Sequence, residues 1–446
     1  MLKGRPSEIG ELVMLNKKAI TKVQAAVIAV IIIVAAVIGV VAYLMYPTGG
    51  PPPKEKIVVG IVQSLTGPLS PQVTMYHCYY KWIIEDYNDK GGLYVPEYGK
   101  KLEIEYIEYD DESDISKMLT LTEKLITVDK VDLIFAPCST GLCYAAFSLY
   151  EKYHYPVVAL TYGSDIAAEK MRTGEWKYSF HALATPSEVG EEVRELLEDI
   201  RDNIDSELDT VGIIHHMDQH GVEHASAIFR ELTLAGFSVP VYESYPFMET
   251  EFETLIAMLR DANVDVAIDC GYEGAEFIRD CMTANYNPKL IIVGPSLEAP
   301  GMTFGPLGFS LEQIKGIVFY DGWPSASYTE SEALADWAEE HKVRSVAIYG
   351  NEYGYPFPAS AVFYASVQCL FEAVEKVGLD REKIAEALVT EYFDTILGKT
   401  RLRPGYAPEC ELGGTITQWQ DRYMMEVIWP LDSKSADLIY PKPPWP

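Results

Sequence analysis

Basic residues are scarce. Lys and Arg total 36 against 66 Asp and Glu, leaving a net charge of −30 over 446 residues. A field of that sign repels phosphate backbones and argues against nucleic acid as a partner. Cysteine is sparse too: seven residues, at 78, 138, 143, 270, 281, 369 and 410. No short Cys-x-x-Cys pair occurs, which disfavours a structural metal site. An odd count leaves at least one thiol unpaired if all bridges are internal. Cys138 and Cys143 are near enough for a local bridge if the turn allows it, whereas Cys281 and Cys369 suit small apolar positions on predicted helices. Catalytic signatures are missing as well: there is no Gly-x-Ser-x-Gly elbow, Walker loop, His-Glu-x-x-His or Gly-x-Gly-x-x-Gly. Solenoid repeats and low-complexity tracts are absent.

One long apolar run is present. Residues Ala25 to Tyr46 carry no charge, and a helix of that length, ~33 Å, would cross a ~30 Å hydrocarbon layer. Lys17, Lys18 and Lys22 precede it and no basic residue follows until Lys54. The positive-inside bias therefore places residues 1–22 in the cytoplasm and the remainder outside, with 23–46 as an uncleaved anchor in the lipid bilayer. A proline- and glycine-rich spacer covers 47–56.

From residue 57 the pattern alternates strand and helix. Ile57–Val62, Leu102–Tyr109, Val131–Ala136 and Pro156–Leu160 read as strands, with helices over Met75–Asn88, Ser116–Val128 and Cys143–Tyr153. The rhythm returns after 185: helix Ser187–Ile200, with Ser187 as its expected cap, then strands Thr210–Ile214, Val239–Tyr245, Val264–Asp269 and Lys289–Val293 with helices between them. Short apolar strands beside longer helices indicate parallel sheets covered on both faces. Two doubly wound α/β halves imply a cleft at the carboxyl ends of their strands. The turn Ser64-Leu65-Thr66-Gly67-Pro68 ends the first strand and is expected to line it.

Four segments carry a family resemblance: VVGIVQSLTGPLS (58–70), LEIEYIEYDDESDISKMLTLTEKLI (102–126), VDLIFAPCSTGLCYA (131–145) and GGTITQWQDRYMMEVIWP (413–430). The chain resembles type I periplasmic binding proteins, the branched-chain amino acid receptors of ABC transporters. The resemblance implies two three-layer lobes joined by a three-stranded hinge. Lobe one would be 57–180 plus 318–400, lobe two 181–317 plus 401–430, and 431–446 a tail. It also implies a small-molecule solute, an ABC permease as partner, no cofactor and no catalysis.

The candidate site follows from strand ends. At Ala136-Pro137-Cys138-Ser139-Thr140-Gly141 a strand runs into a helix, whose first N–H groups lack internal acceptors and favour an anion. Ser139 and Thr140 either add donors for a solute carboxylate or merely cap the helix; the resemblance favours the contact. It places Tyr162 and Ser164 in the same carboxylate site, although Ser164 also suits a cap. Tyr272, following Asp269-Cys270-Gly271, would meet the ammonium. The family's acidic residue falls at Ser296 here, with Glu298 two residues on as its replacement. Asp321 and Trp323 would shape the side-chain pocket. The histidine-rich run 215–224 reads as cleft or surface histidines, as a solute contact at His220 titrating between pH 5 and 8, or as a metal site. The leading reading is a solute receptor for an amino acid or related carboxylate or amide. The rivals are a sensing ectodomain with a separate signalling partner and an extracellular amidase or metal hydrolase.

Overall fold

The structure is a computed structural model that describes residues 54–320, 332–350, 353, 359–410 and 416–446. Strand β1 (Lys56–Gln63) is a β-branched run buried from Ile57 onward, apart from half-buried Val58. It lies inside a four-stranded sheet with β2 (Leu93–Val95), β3 (Lys100–Asp110) and β4 (Leu133–Phe135), in the order β2-β3-β1-β4. It runs parallel to both β3 and β4. A second parallel pair, β5 (Val157–Ala159) and β6 (Ser179–His181), lies alongside. The helix Ser70–Asp89 buries Tyr76, Tyr79, Tyr80, Ile83 and Ile84, the three-and-four spacing that puts side chains on one helix face.

The second lobe is built on β7 (Thr210–His216), β8 (Ser238–Tyr245), β9 (Val266–Cys270), β10 (Leu290–Val293) and β11 (Ile317–Phe319). Alternation sorts their side chains to two cores: Leu290 and Ile292 enter one, Ile291 and Val293 the other. A sheet buried on both faces reads as a continuous apolar run for this reason. A three-stranded antiparallel sheet of β12 (Phe393–Thr395), β13 (Gly398–Arg403) and β14 (Tyr406–Cys410) follows. Finally β15 (Ile416–Trp419) and β16 (Met425–Trp429) add antiparallel strands to the second lobe, giving the order β16-β15-β11-β10-β9-β7-β8.

Late segments of the chain pack with early ones. Phe363, Phe371, Phe393 and Leu402 share the first lobe's core with Ile57 and Phe135. The sheets place the boundaries differently from the sequence reading, however. β11 pairs with β10, so 318–319 belong to the second lobe. Leu402 packs in the first lobe's core, and β14 pairs with β13, so 401–410 go with the first. The tail is also anchored: Lys442 N donates to Lys289 O at 2.8 Å and Trp445 Nε1 to Tyr286 O at 2.8 Å.

Three further expectations need correction. All seven cysteines are free thiols, so the 138–143 bridge does not form; Cys143 Sγ instead donates to Pro137 O at 3.1 Å. Thr185 rather than Ser187 caps the helix Pro186–Asn203, in a capping box with Glu188. The transmembrane helix expected as part of the fold is not found: among the described residues no helix is long and apolar enough to cross a membrane. The anchor expected at 23–46 lies outside the described residues, and the bilayer partnership and single-pass placement built on it are withdrawn.

The turn after β1 explains its own glycine. Gly67 has φ +86°, and a Cβ there would lie 2.5 Å from Glu112 O. Gly67→Ala is expected to lower stability by about 1–3 kcal/mol, read as a drop in the urea midpoint.

Candidate functional site

A cavity of about 70 Å³ lies between the lobes. The first lobe supplies Gln72, Met75 and Tyr76 from one helix, Ser139, and the β5 end at Thr161 and Gly163. The second supplies His220, Tyr272, Pro295 and Glu298. Leu183, Phe319, Tyr320, Ala359 and Phe363 complete an apolar wall. Among the described residues no Lys or Arg lines it.

Ser139 sits in the left-handed region at φ 72°, ψ 153°, a conformation that costs a serine free energy and recurs at binding sites. Its N–H donates to Thr161 Oγ1 at 3.0 Å, and its Oγ accepts from Leu142 N at 3.4 Å. Ser139 is thus both a cap and a lining residue. Thr140 begins the helix Thr140–Tyr153 directly behind it. Thr140 Oγ1 is buried with no hydrogen bond of normal geometry, although the Tyr272 hydroxyl approaches from the opposite lobe. With the unpaired N–H groups of the first helical turn, this end of the cavity suits an anion.

The opposite end carries a different chemistry. Glu298 Oε2 is buried without a partner in the protein. Burial pushes its carboxyl up to about 7, opposed by the backbone N–H groups of Glu298, Ser296 and Leu297. His220 stacks on Tyr272 at 4.9 Å and 29°, and its Nε2 is buried and unpartnered. Burial, then the neighbouring His224 and His216, hold His220 well below the usual imidazole range. His224 falls to about 4, mainly through burial. Burial thus opposes the titration of His220 expected between pH 5 and 8.

His216 behaves oppositely. Burial disfavours its charge, but contacts with Asp218 Oδ1 at 2.7 Å and Glu273 Oε2 at 3.1 Å raise it to about 9. It is a buried structural cation behind the Tyr272 wall, with ring centroids 4.6 Å apart. Among the described residues no group of three or more His, Cys, Asp or Glu side chains is arranged to hold a metal ion.

The cavity gathers Ser139, His220, Tyr272 and Glu298 from the expected set, with Thr140 adjoining. Ser64, Tyr162 and Ser164 are placed elsewhere. Ser64 is buried and donates to Asp111 Oδ1 at 2.6 Å; the turn it begins is fastened to the end of β3, and the helix after it reaches the cavity instead. Tyr162 packs edge-on against Phe147 at 4.7 Å. Ser164 caps the helix Asp165–Arg172 and donates to Glu223 Oε1 at 2.9 Å. Trp323 and Asp321 lie outside the described residues. Sequence reasoning missed Thr161, although it borders Tyr162, and missed Leu183, Ala359 and Phe363, which no local pattern marks.

A two-lobed α/β receptor with a mostly apolar interlobe cavity is the class that this architecture defines. A family model described as periplasmic binding protein matches residues 56–421, and the chain belongs to that family. Its members bind solutes rather than transform them, so the chain is a binding protein and not an enzyme. It is 22% identical over 352 residues to the leucine-, isoleucine-, valine-, threonine- and alanine-binding protein of Pseudomonas aeruginosa, covering 77% of this chain and 85% of the relative. The leucine-binding protein LivK of Thermotoga maritima shares the fold, with TM-score 0.67 and 16% identity over 83% of this chain and 97% of that one. So does a Rhodopseudomonas palustris solute-binding protein in complex with benzoate, with TM-score 0.65 and 18% identity over 87% and 97%.

Proposed function

We propose that this extracytoplasmic solute-binding receptor of an ABC importer takes a small amino acid with an apolar side chain and delivers it to a membrane permease. The observation that carries the reading is the polarity of the cavity. A buried threonine hydroxyl approached only by Tyr272 and a helix N-terminus lie at one end, and a buried carboxylate with one oxygen, Glu298 Oε2, left unpaired among the described residues lies at the other. Apolar and aromatic side chains lie between them, with no Lys or Arg among the described residues to receive a second anionic group. Ser139, Thr140 and Thr161 would hold the carboxylate, Glu298 and the Tyr272 face the ammonium, and Leu183, Phe319 and Phe363 the side chain. The names of the leucine-, isoleucine-, valine-, threonine- and alanine-binding relative and of the leucine-binding protein agree with that set, whereas the benzoate complex agrees only with its carboxylate seat and apolar wall. Closure is favoured because the solute touches both lobes and so binds the closed form better than the open one.

The test is thermal. After unfolding and refolding to strip carried-over solute, the protein is melted against amino acids, amides, carboxylates and oligopeptides. A selective aliphatic or aromatic amino acid is expected to raise Tm by mass action. A rise confined to carboxylates without an amine would sink the ammonium assignment.

A further inference from the structure

Ser164, which the family resemblance places against the solute, already has an anion: the chain's own Glu223. The two residues belong to different lobes. The helix Asp165–Arg172 packs through Ala167 and Met171 into the first lobe's core. The helix Gln219–Leu234 packs through Ala225, Ile228 and Leu232 into the second lobe's. Across that boundary Glu223 Oε1 accepts from Ser164 Oγ at 2.9 Å, and Oε2 accepts from Asp165 N at 2.7 Å. Gln219 Nε2 braces the carboxylate at 2.8 Å and reaches Ser164 Oγ at 3.2 Å. The contact is reciprocal. Asp165 Oδ1 accepts from Ser187 N at 3.2 Å, and Oδ2 accepts from Ser187 Oγ at 2.8 Å, in the first turn of the second lobe's helix Pro186–Asn203.

Each lobe thus lends a carboxylate to the start of a helix in the other. Helix N-termini stabilise such groups through unpaired N–H donors and the helix dipole, and charge-assisted bonds are the stronger ones. None of these residues lines the cavity, yet the contact lies beside it. Gly163, which precedes Ser164, and His220, three residues before Glu223, both line it. Gly163 has no room for a side chain, since a Cβ would stand 2.7 Å from Ala184 O.

We propose that Glu223 and Asp165 form a solute-independent clasp that biases the receptor toward the closed arrangement of its lobes, making Glu223 a positioning residue for the cleft. The solute then completes a closure that is already favoured, and apparent affinity scales with the fraction already closed. The consequence for affinity rests on the receptor reading; the closure itself does not.

The experiment uses the full chain without solute, with a FRET pair placed on the helices Arg381–Thr390 of the first lobe and Glu253–Asp261 of the second. The unsubstituted receptor is expected to show a predominant short-distance population. Glu223→Ala and Asp165→Ala are each expected to shift the majority to a longer distance, with apparent affinity for the solute found by melting about tenfold weaker. Ser164→Ala, which removes one arm and leaves the cavity lining intact, is expected to shift part of the population and carries the test should either carboxylate variant fail to fold. Unchanged distance distributions in folded variants would overturn the clasp. Failure of the amino acid assignment would leave this solute-free readout untouched.

Discussion

Glu298→Gln is expected to weaken solute binding by about 30-fold or more at pH 8, without destabilising the unliganded receptor. Removing one partner of a buried charge pair costs on the order of 2–5 kcal/mol of binding, and the amide keeps the shape of the carboxylate. The unliganded protein gains nothing from this charge: burial raises the carboxyl to about 7. The sign of the linkage follows. A carboxyl raised above its unfolded value contributes stability that is full below the unfolded pKa and is lost as pH climbs through about 7. Solute binding runs the other way, because an ammonium selects the ionised form. Affinity is therefore expected to rise from pH 5.5 to 8 and then level. Titrations across that range should show the slope in the unsubstituted protein and its loss in Glu298→Gln. His220 and His224 contribute no slope there, since both are held below the ordinary imidazole range.

Thr140→Val should separate binding from folding more sharply. The substitution is nearly isosteric and deletes a buried hydroxyl that has no hydrogen bond of normal geometry in the protein. Burying such a group unpaired costs about 1–3 kcal/mol, so the valine variant is expected to melt at the same temperature or higher. A hydrogen bond to a charged group contributes about 1.5–3 kcal/mol, so affinity for a carboxylate solute is expected to fall about 10- to 150-fold. Calorimetric titration and a melting curve on one preparation check both halves. A destabilised variant with unchanged affinity would make Thr140 a structural residue alone.

The strands that form the cleft were legible because a doubly buried strand favours an apolar, β-branched run: β1 and β10 are such runs, and β9 is apolar but for Asp269. The carboxyl ends of β4, β9 and β10 led to Ser139, Tyr272 and Glu298. The cavity's apolar wall was not legible. Ala359 and Phe363 arrive from a helix more than two hundred residues after Ser139, and nothing local distinguishes a core phenylalanine from one facing a solute. Ser64 and Ser164 failed for a different reason. A serine at a strand end can point at a solute or at a carboxylate of its own chain, and Asp111 and Glu223 are distant in sequence. His216 was read as part of a polar run, but it ends β7 and is held by Asp218 and Glu273. The β12–β14 sheet escaped notice because its strands, such as GKTRLR, carry no apolar run.

Binding of one amino acid and its two capped forms to the stripped receptor tests the central claim most directly. The amino acid selected by melting is titrated beside its N-acetyl derivative and its carboxamide. With the carboxylate at Ser139 and Thr140 and the ammonium at Glu298, the free zwitterion binds and each cap costs at least a hundredfold. Equal affinity for the N-acetyl form would contradict the ammonium role of Glu298, and equal affinity for the carboxamide would contradict the carboxylate seat.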